Sequence, residues 1–219
     1  MPLRQLLLFA CLALAGTSTT AAEEGARFSP AEALDLLKAG NRRYQESRPA
    51  HPHQSAEHRV TVSDSQHPFA QILACSDSRV APEIVFDEGL GDLFVVRVAG
   101  NIVDDAVKGT LEYGSQHLGS SLIVVMGHSS CGAVTAAVRA EEAHDHVVSL
   151  MDAIFPSVLL ARRQSGDLIA NAVRANVMRS VQQLRDSWPT LQRLHSSNKI
   201  AIVGAVYDLR TGHVIWLDD

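Results

Sequence analysis

Two short apolar runs, each stopping at a turn of small and polar residues, limit what this chain can fold into. Leu122-Ile123-Val124-Val125-Met126 leads into Gly127-His128-Ser129-Ser130-Cys131-Gly132, and a helix-forming stretch, Ala133 to Val138, follows. Upstream, Phe69 to Ala74 leads into Cys75-Ser76-Asp77-Ser78-Arg79. Runs this brief and this apolar read as strands buried on both faces, which is the habit of parallel sheets. The turns then lie at strand C-terminal ends, where open α/β sheets hold their sites.

The rest of the chain supplies the elements such a sheet needs. Ser29-Pro30-Ala31-Glu32 combines an N-cap, a first-turn proline and a first-turn acid, and predicts an amphipathic helix to about Glu46. Gly40-Asn41 weakens it in the middle. Arg48 to Pro68 is polar and rich in His and Pro, so a loop with one short helix is expected, its histidines (His51, His53, His58) solvated like His144 and His146. A short helix opens at Pro82-Glu83, a second strand runs from Asp92 to Val98, and Ala99-Gly100-Asn101 forms a small-residue turn that brings backbone close to a neighbour. Helices follow over 107–118, 152–163 and 167–188, the last ended by Pro189. Lys199 to Tyr207 and Val214 to Leu217 pair as a hairpin around Arg210-Thr211-Gly212-His213. The fold class is α/β: a mainly parallel central sheet with helical crossovers, an antiparallel edge hairpin and an N-terminal helical arm.

Two thiolates and an imidazole suit zinc, and three protein ligands leave a fourth position for water or substrate. Cys75, His128 and Cys131 are therefore read as a catalytic Zn²⁺ site. Zinc with this ligand set would draw the pKa of a bound water from about 15.7 towards neutrality. Asp77, two residues past Cys75, is placed either to orient that water or to ligate the metal and close the site. Arg79 is placed to hold Asp77 off the metal through a charge-assisted pair. The bland alternative is a loop-fixing ion pair.

The N-terminus has the layout of a secretory signal peptide: Arg4, an apolar stretch from Leu6 to Ala15, then Thr20-Ala21-Ala22 before Glu23-Glu24. The apolar stretch is too short to span a bilayer. Cleavage after Ala22 leaves residues 23–219 as a single domain, exported to the periplasm or beyond. The net charge is −5, and losing the leader removes Arg4 and no acid. An acidic chain argues against nucleic acid or an anionic membrane surface as partner. Of three cysteines, Cys11 leaves with the leader. In an oxidising compartment a Cys75–Cys131 disulfide is the alternative to metal. It gives no reason for His128, Asp77 or Arg79 beside the sulfurs.

Three motifs taken together, Cys75-Ser76-Asp77-Ser78-Arg79, Arg97-Val98-Ala99-Gly100-Asn101 and His128-Ser129-Ser130-Cys131-Gly132, resemble the β-class carbonic anhydrases over about Ser29 to Leu217. The resemblance implies reversible hydration of carbon dioxide to bicarbonate and a proton by a zinc-bound hydroxide, with zinc on Cys75, His128 and Cys131 and an Asp77–Arg79 dyad. It implies a pocket of the plant-like type lined by Gln66, Phe94, Ala99, Gly100 and Tyr113. Such pockets lie at the interface of a homodimer, or of a dimer of dimers, with the glutamine serving the neighbour's zinc. The branch that closes its site with bicarbonate carries a tryptophan three residues before the first cysteine; Ile72 stands there, so no such regulatory pocket is expected. Two readings compete: a hydrolase of carbon disulfide or carbonyl sulfide on the same fold, and a non-catalytic zinc-binding structural protein.

Overall fold

A computed structural model describes residues 26–217, so the leader expected over residues 1–22, and Cys11 within it, lie outside the described residues. Five strands form one sheet in the order β2-β1-β3-β4-β5: β1 (Ala70–Ala74), β2 (Leu93–Arg97), β3 (Leu122–His128), β4 (Ala201–Tyr207) and β5 (Val214–Leu217). The first three pairings across that order are parallel and β4–β5 is antiparallel. The expected parallel sheet with an antiparallel edge is what forms. β1 and β3 are buried along their whole length, as their largely apolar sequences require, with Gln71 the buried polar residue of β1 and His128 ending β3.

Helices cover both faces. α1 (Pro30–Gln45) and α3 (Pro82–Val85) lie on one, where Ala33, Leu37, Val85 and Phe86 pack on Ala70, Ile72, Val124 and Met126. α2 (Ala56–Thr61) is the short helix of the loop before β1. The other face carries α4 (Asp105–His117), α5 (Gly132–Arg139), α6 (Val147–Ala161), α7 (Leu168–Arg185) and α8 (Thr190–Ser196). Their Leu111, Val134, Ile154, Val177 and Leu191 meet Leu73, Ile123, Val125 and Ile202. Alternate side chains of each strand thus feed two separate cores, the period-2 geometry of a strand.

Helix boundaries differ from the sequence reading. α6 begins five residues before Asp152, because Leu150 and Met151 pack on the core and draw the preceding turn into the helix. α7 stops at Arg185, short of the expected Trp188, and Pro189 does not end it but caps the start of α8, which the fully buried Leu191 anchors. The histidines are solvated as the sequence predicts, with His51, His53, His144 and His146 exposed, but His53 and His58 also pin the loop. His53 Nδ1 lies 2.7 Å from Asp92 Oδ2, His58 Nε2 lies 2.9 Å from the Leu90 carbonyl, and the two rings stack at 4.4 Å.

Gly40-Asn41 turns from weak point to anchor. Ser29 and Glu32 form a capping box at the start of α1, and the buried stripe is Ala33, Leu37, Gly40 and Asn41. A Cβ on Gly40 would sit 1.7 Å from the Phe86 carbonyl oxygen, so only glycine lets α1 approach α3. Asn41 Nδ2 donates to the carbonyls of Val85 (3.0 Å) and Gly212 (2.9 Å), while its Oδ1 accepts from the Val214 N–H (3.0 Å). One 3%-exposed amide therefore ties the helical arm to α3 and to the sheet edge. Asn41→Ala strands these buried groups and should lower the unfolding free energy by about 3 kcal/mol, measured by urea denaturation.

Glu88, beside this contact, has a side chain only 10% exposed, 3.9 Å from Arg43. Burial, then the nearby Asp92 and Asp87 charges, push its carboxyl up from 4.5 to about 7, with Arg43 opposing. The fold therefore holds a proton that the unfolded chain releases at lower pH. This contribution to stability is full below about 4.5 and fades as pH rises through about 7. Glu88→Gln should be more stable than the parent at pH 8 by about 2–3 kcal/mol and nearly equal to it at pH 4.5, by the same denaturation measurement.

Candidate metal centre

β1 and β3 pair in parallel with Ala74 opposite Met126. The turn after β1 therefore begins beside the last two residues of β3, Gly127 and His128. Chain order makes this the switch point of the sheet: β1 is flanked by β2 on one side and β3 on the other, and the connections leave a crevice between them. Cys75 leaves β1, and His128 is the last residue of β3. Cys131 is the N-cap of α5. Ser130, with φ of 55°, turns the chain sharply from His128 back to Cys131. The Ser129 N–H donates to the Tyr207 carbonyl (2.9 Å) and its hydroxyl accepts from the Leu209 N–H (3.0 Å), stitching this turn to β4.

The three side chains converge. Cys75, His128 and Cys131 are buried, with 5%, 0% and 1% exposure, and their ligand atoms lie within 4.8 Å of one another. Among the described residues, no other group of this kind is found. Both cysteines are free, with sulfurs 4.0 Å apart; two sulfurs on one tetrahedral zinc stand about 3.8 Å apart. His128 Nδ1 lies 3.0 Å from the Ser129 carbonyl, to which it can only donate, and that leaves Nε2 as the lone-pair nitrogen of the neutral ring. Nε2 has no hydrogen-bond partner despite complete burial. An orphaned buried nitrogen facing two sulfurs is costly unless something binds there, and an N/S-liganded dication fits the donor set.

Charge at the sulfurs points the same way. A hydrogen bond from the Cys131 thiol draws the Cys75 sulfur's pKa down, helped by His128 and by the Gly100 and Asp77 N–H groups, against desolvation. The same contact, with burial, pushes Cys131 up, opposed by the Val134 and Ala133 N–H groups of α5. Two bare thiolates at 4 Å repel, so a cation is what would let both ionise.

Around the sulfurs the chain is tightly held. Asp77 accepts from the Arg79 backbone N–H (3.0 Å), Nε (2.9 Å) and Nη2 (2.7 Å), so both its oxygens are engaged. Arg79 holds its carboxyl well below the usual carboxylate range. Asp77 Oδ2 lies 3.7 Å from His128 Nε2. Arg97, quoted in the sequence only as part of a motif, donates to the carbonyls of Cys75 (3.2 Å) and Asp77 (2.7 Å) and so sets the path between them. The small-residue turn forms a single 3-10 turn, Ala99–Asn101, and the neighbour it approaches is Cys75, whose sulfur accepts the Gly100 N–H at 3.3 Å. Gly100 has φ of 70°, a conformation that favours glycine, and a Cβ there would lie 2.7 Å from Ile154 Cδ1 and push that side chain aside.

The remaining sequence-predicted positions lie further out. Phe94 and Ala99 are half-buried. Tyr113 is 49% exposed, its ring 6.2 Å from that of Phe94. Gln66 is exposed.

A family model described as carbonic anhydrase matches residues 70–214. The chain belongs to the β-carbonic anhydrases. It is 41% identical over 194 residues to carbonic anhydrase 2 of Mycobacterium tuberculosis, covering 87% of this chain and 94% of the relative. The carbonic anhydrase of Mycolicibacterium smegmatis is 40% identical over 190 residues, covering 85% and 92%. Among solved structures, the β-carbonic anhydrase CcaA superposes with a TM-score of 0.66 at 27% identity, covering 84% of this chain and 95% of that one. A Coccomyxa β-carbonic anhydrase in complex with acetazolamide gives 0.64 at 29%, covering 84% and 85%. As a carbonic anhydrase, the chain is an enzyme that interconverts carbon dioxide with bicarbonate and a proton.

Proposed function

We propose that Cys75 Sγ, His128 Nε2 and Cys131 Sγ hold a zinc ion and that carbon dioxide is hydrated at the position they leave open. The observation that carries this is the fully buried His128 Nε2, without a hydrogen-bond partner and within 4.8 Å of two buried sulfurs. Bound zinc supplies a Lewis acid that makes water nucleophilic near neutral pH. The chain's own groups do the rest. Asp77 stays ionised and accepts the hydrogen bond of the attacking water, aiming its lone pair at the substrate carbon. Arg79 grips both Asp77 oxygens and keeps them from swinging onto the metal, as three contacts of 2.7–3.0 Å support. Phe94, Ala99, Gly100 and Tyr113 give an apolar wall suited to an uncharged gas.

The assembly we propose is a homodimer, alone or paired, closed over β2. This strand is a sheet edge, apolar in sequence yet only half-buried. Leu90 just before it and Tyr113 on α4 are 47% and 49% exposed. An apolar edge of this kind is a ready template for association, and exposed Gln66 is then free to serve the neighbouring subunit's pocket. No helix among the described residues is long and apolar enough to cross a membrane. The signal-peptide layout of residues 1–22 supports export to the periplasm or beyond. Mass spectrometry of the exported protein should find Glu23 at its N-terminus.

Purified protein should carry about one zinc per chain and hydrate carbon dioxide in a stopped-flow assay. Asp77→Ala should keep the zinc and lose about a hundredfold or more in rate. Loss of metal instead would make Asp77 a ligand. Sedimentation as a monomer would refute the shared pocket.

A further inference from the structure

Asn176, on α7, is 2% exposed and lies among buried apolar side chains of α6 and α7. Its Nδ2 donates to the Gly100 carbonyl at 2.7 Å, and its Oδ1 accepts from the fully buried Ser157 hydroxyl on α6 at 3.3 Å. One helical turn on, the Ser180 hydroxyl donates to the Asn101 carbonyl at 3.2 Å. The turn also closes on itself through the Asn101 N–H to the Val98 carbonyl, 2.9 Å. With both carbonyls of Gly100-Asn101 gripped, the Gly100 N–H is left pointing at the Cys75 sulfur.

We propose that Asn176 is a positioning residue for the metal centre, acting through Gly100 on Cys75. A side chain that only filled space between α6 and α7 would be better apolar, because a buried amide costs free energy unless its bonds are made. What an amide adds is direction. It fixes the peptides of a left-handed glycine turn that has no side chain of its own to hold it. A fixed N–H withdraws charge from the sulfur and sets which of its lone pairs faces the ion. Partners beyond the ligands that orient them in this way typically govern metal affinity by about 10–100-fold. The proposal rests on the reading of Cys75 as a ligand.

Cobalt(II) in place of zinc reports the thiolate ligands, Cys75 together with Cys131, through their thiolate-to-metal charge-transfer band. Asn176→Leu should shift the band and weaken cobalt binding about tenfold in competition with a chelator. Ser157→Ala, which frees only the far side of the amide, should move both readouts the same way by less. Far-ultraviolet circular dichroism checks that each variant is folded, and if Asn176→Leu does not fold, Ser157→Ala decides. A folded variant with the parent's band and the parent's cobalt affinity overturns the proposal and leaves the zinc reading standing. A parent protein with no thiolate band overturns both.

Discussion

The parallel pairing of β1 with β3 is the contact on which the rest depends. With Ala74 opposite Met126, one strand releases its chain just as the other still has two residues to run. Cys75 then emerges beside His128 rather than a strand's length away. A slip of one residue would turn every side chain to the other face and split the sulfurs from the imidazole. The register is held by the two cores, which claim alternate residues of both strands.

The centre has the character of a site that is assembled before its ligand arrives. Arg97 fixes the carbonyls of Cys75 and Asp77, Ser129 ties the second turn to β4, and Gly100 lays an N–H on the first sulfur. None of these groups needs to move for three donor atoms to meet one ion. That order is maintained at the cost of an unpartnered imidazole nitrogen and a crowded pair of sulfurs, both of which a dication relieves. Asp77 lies at the edge of this arrangement, close to His128 yet held by a guanidinium on both oxygens. On the proposed reading, Arg79 restrains it from becoming a ligand and leaves it to orient the attacking water.

Much of this was readable beforehand, and unevenly. The short, largely apolar runs of β1 and β3 have a single economical reading, and the residues at their ends declared the donor set, so the sheet, its antiparallel edge and the converging Cys75, His128 and Cys131 followed. Helix limits were less legible. Pro189 looks the same whether it stops a helix or opens one, and the difference lies in the pocket that receives Leu191. Gly40-Asn41 read as a defect because its use, a close approach to Phe86 that any Cβ would block and an amide shared by α3 and the sheet edge, involves residues remote in the chain. Asn176 carried no local signal at all.

The sequence by itself determined which chemistry is present: a borderline-soft N/S donor set, an acid paired with a guanidinium two residues on, and glycine where backbone must come close. It did so because these depend on residue type and short spacing. Tertiary structure alone decided how the pieces bear on one another. That Ala99-Gly100-Asn101 turns onto the Cys75 sulfur, that α7 reaches over to hold the turn, and that Glu88 is driven to keep its proton all depend on desolvation and on hydrogen-bond directions. Those arise only once distant segments have packed.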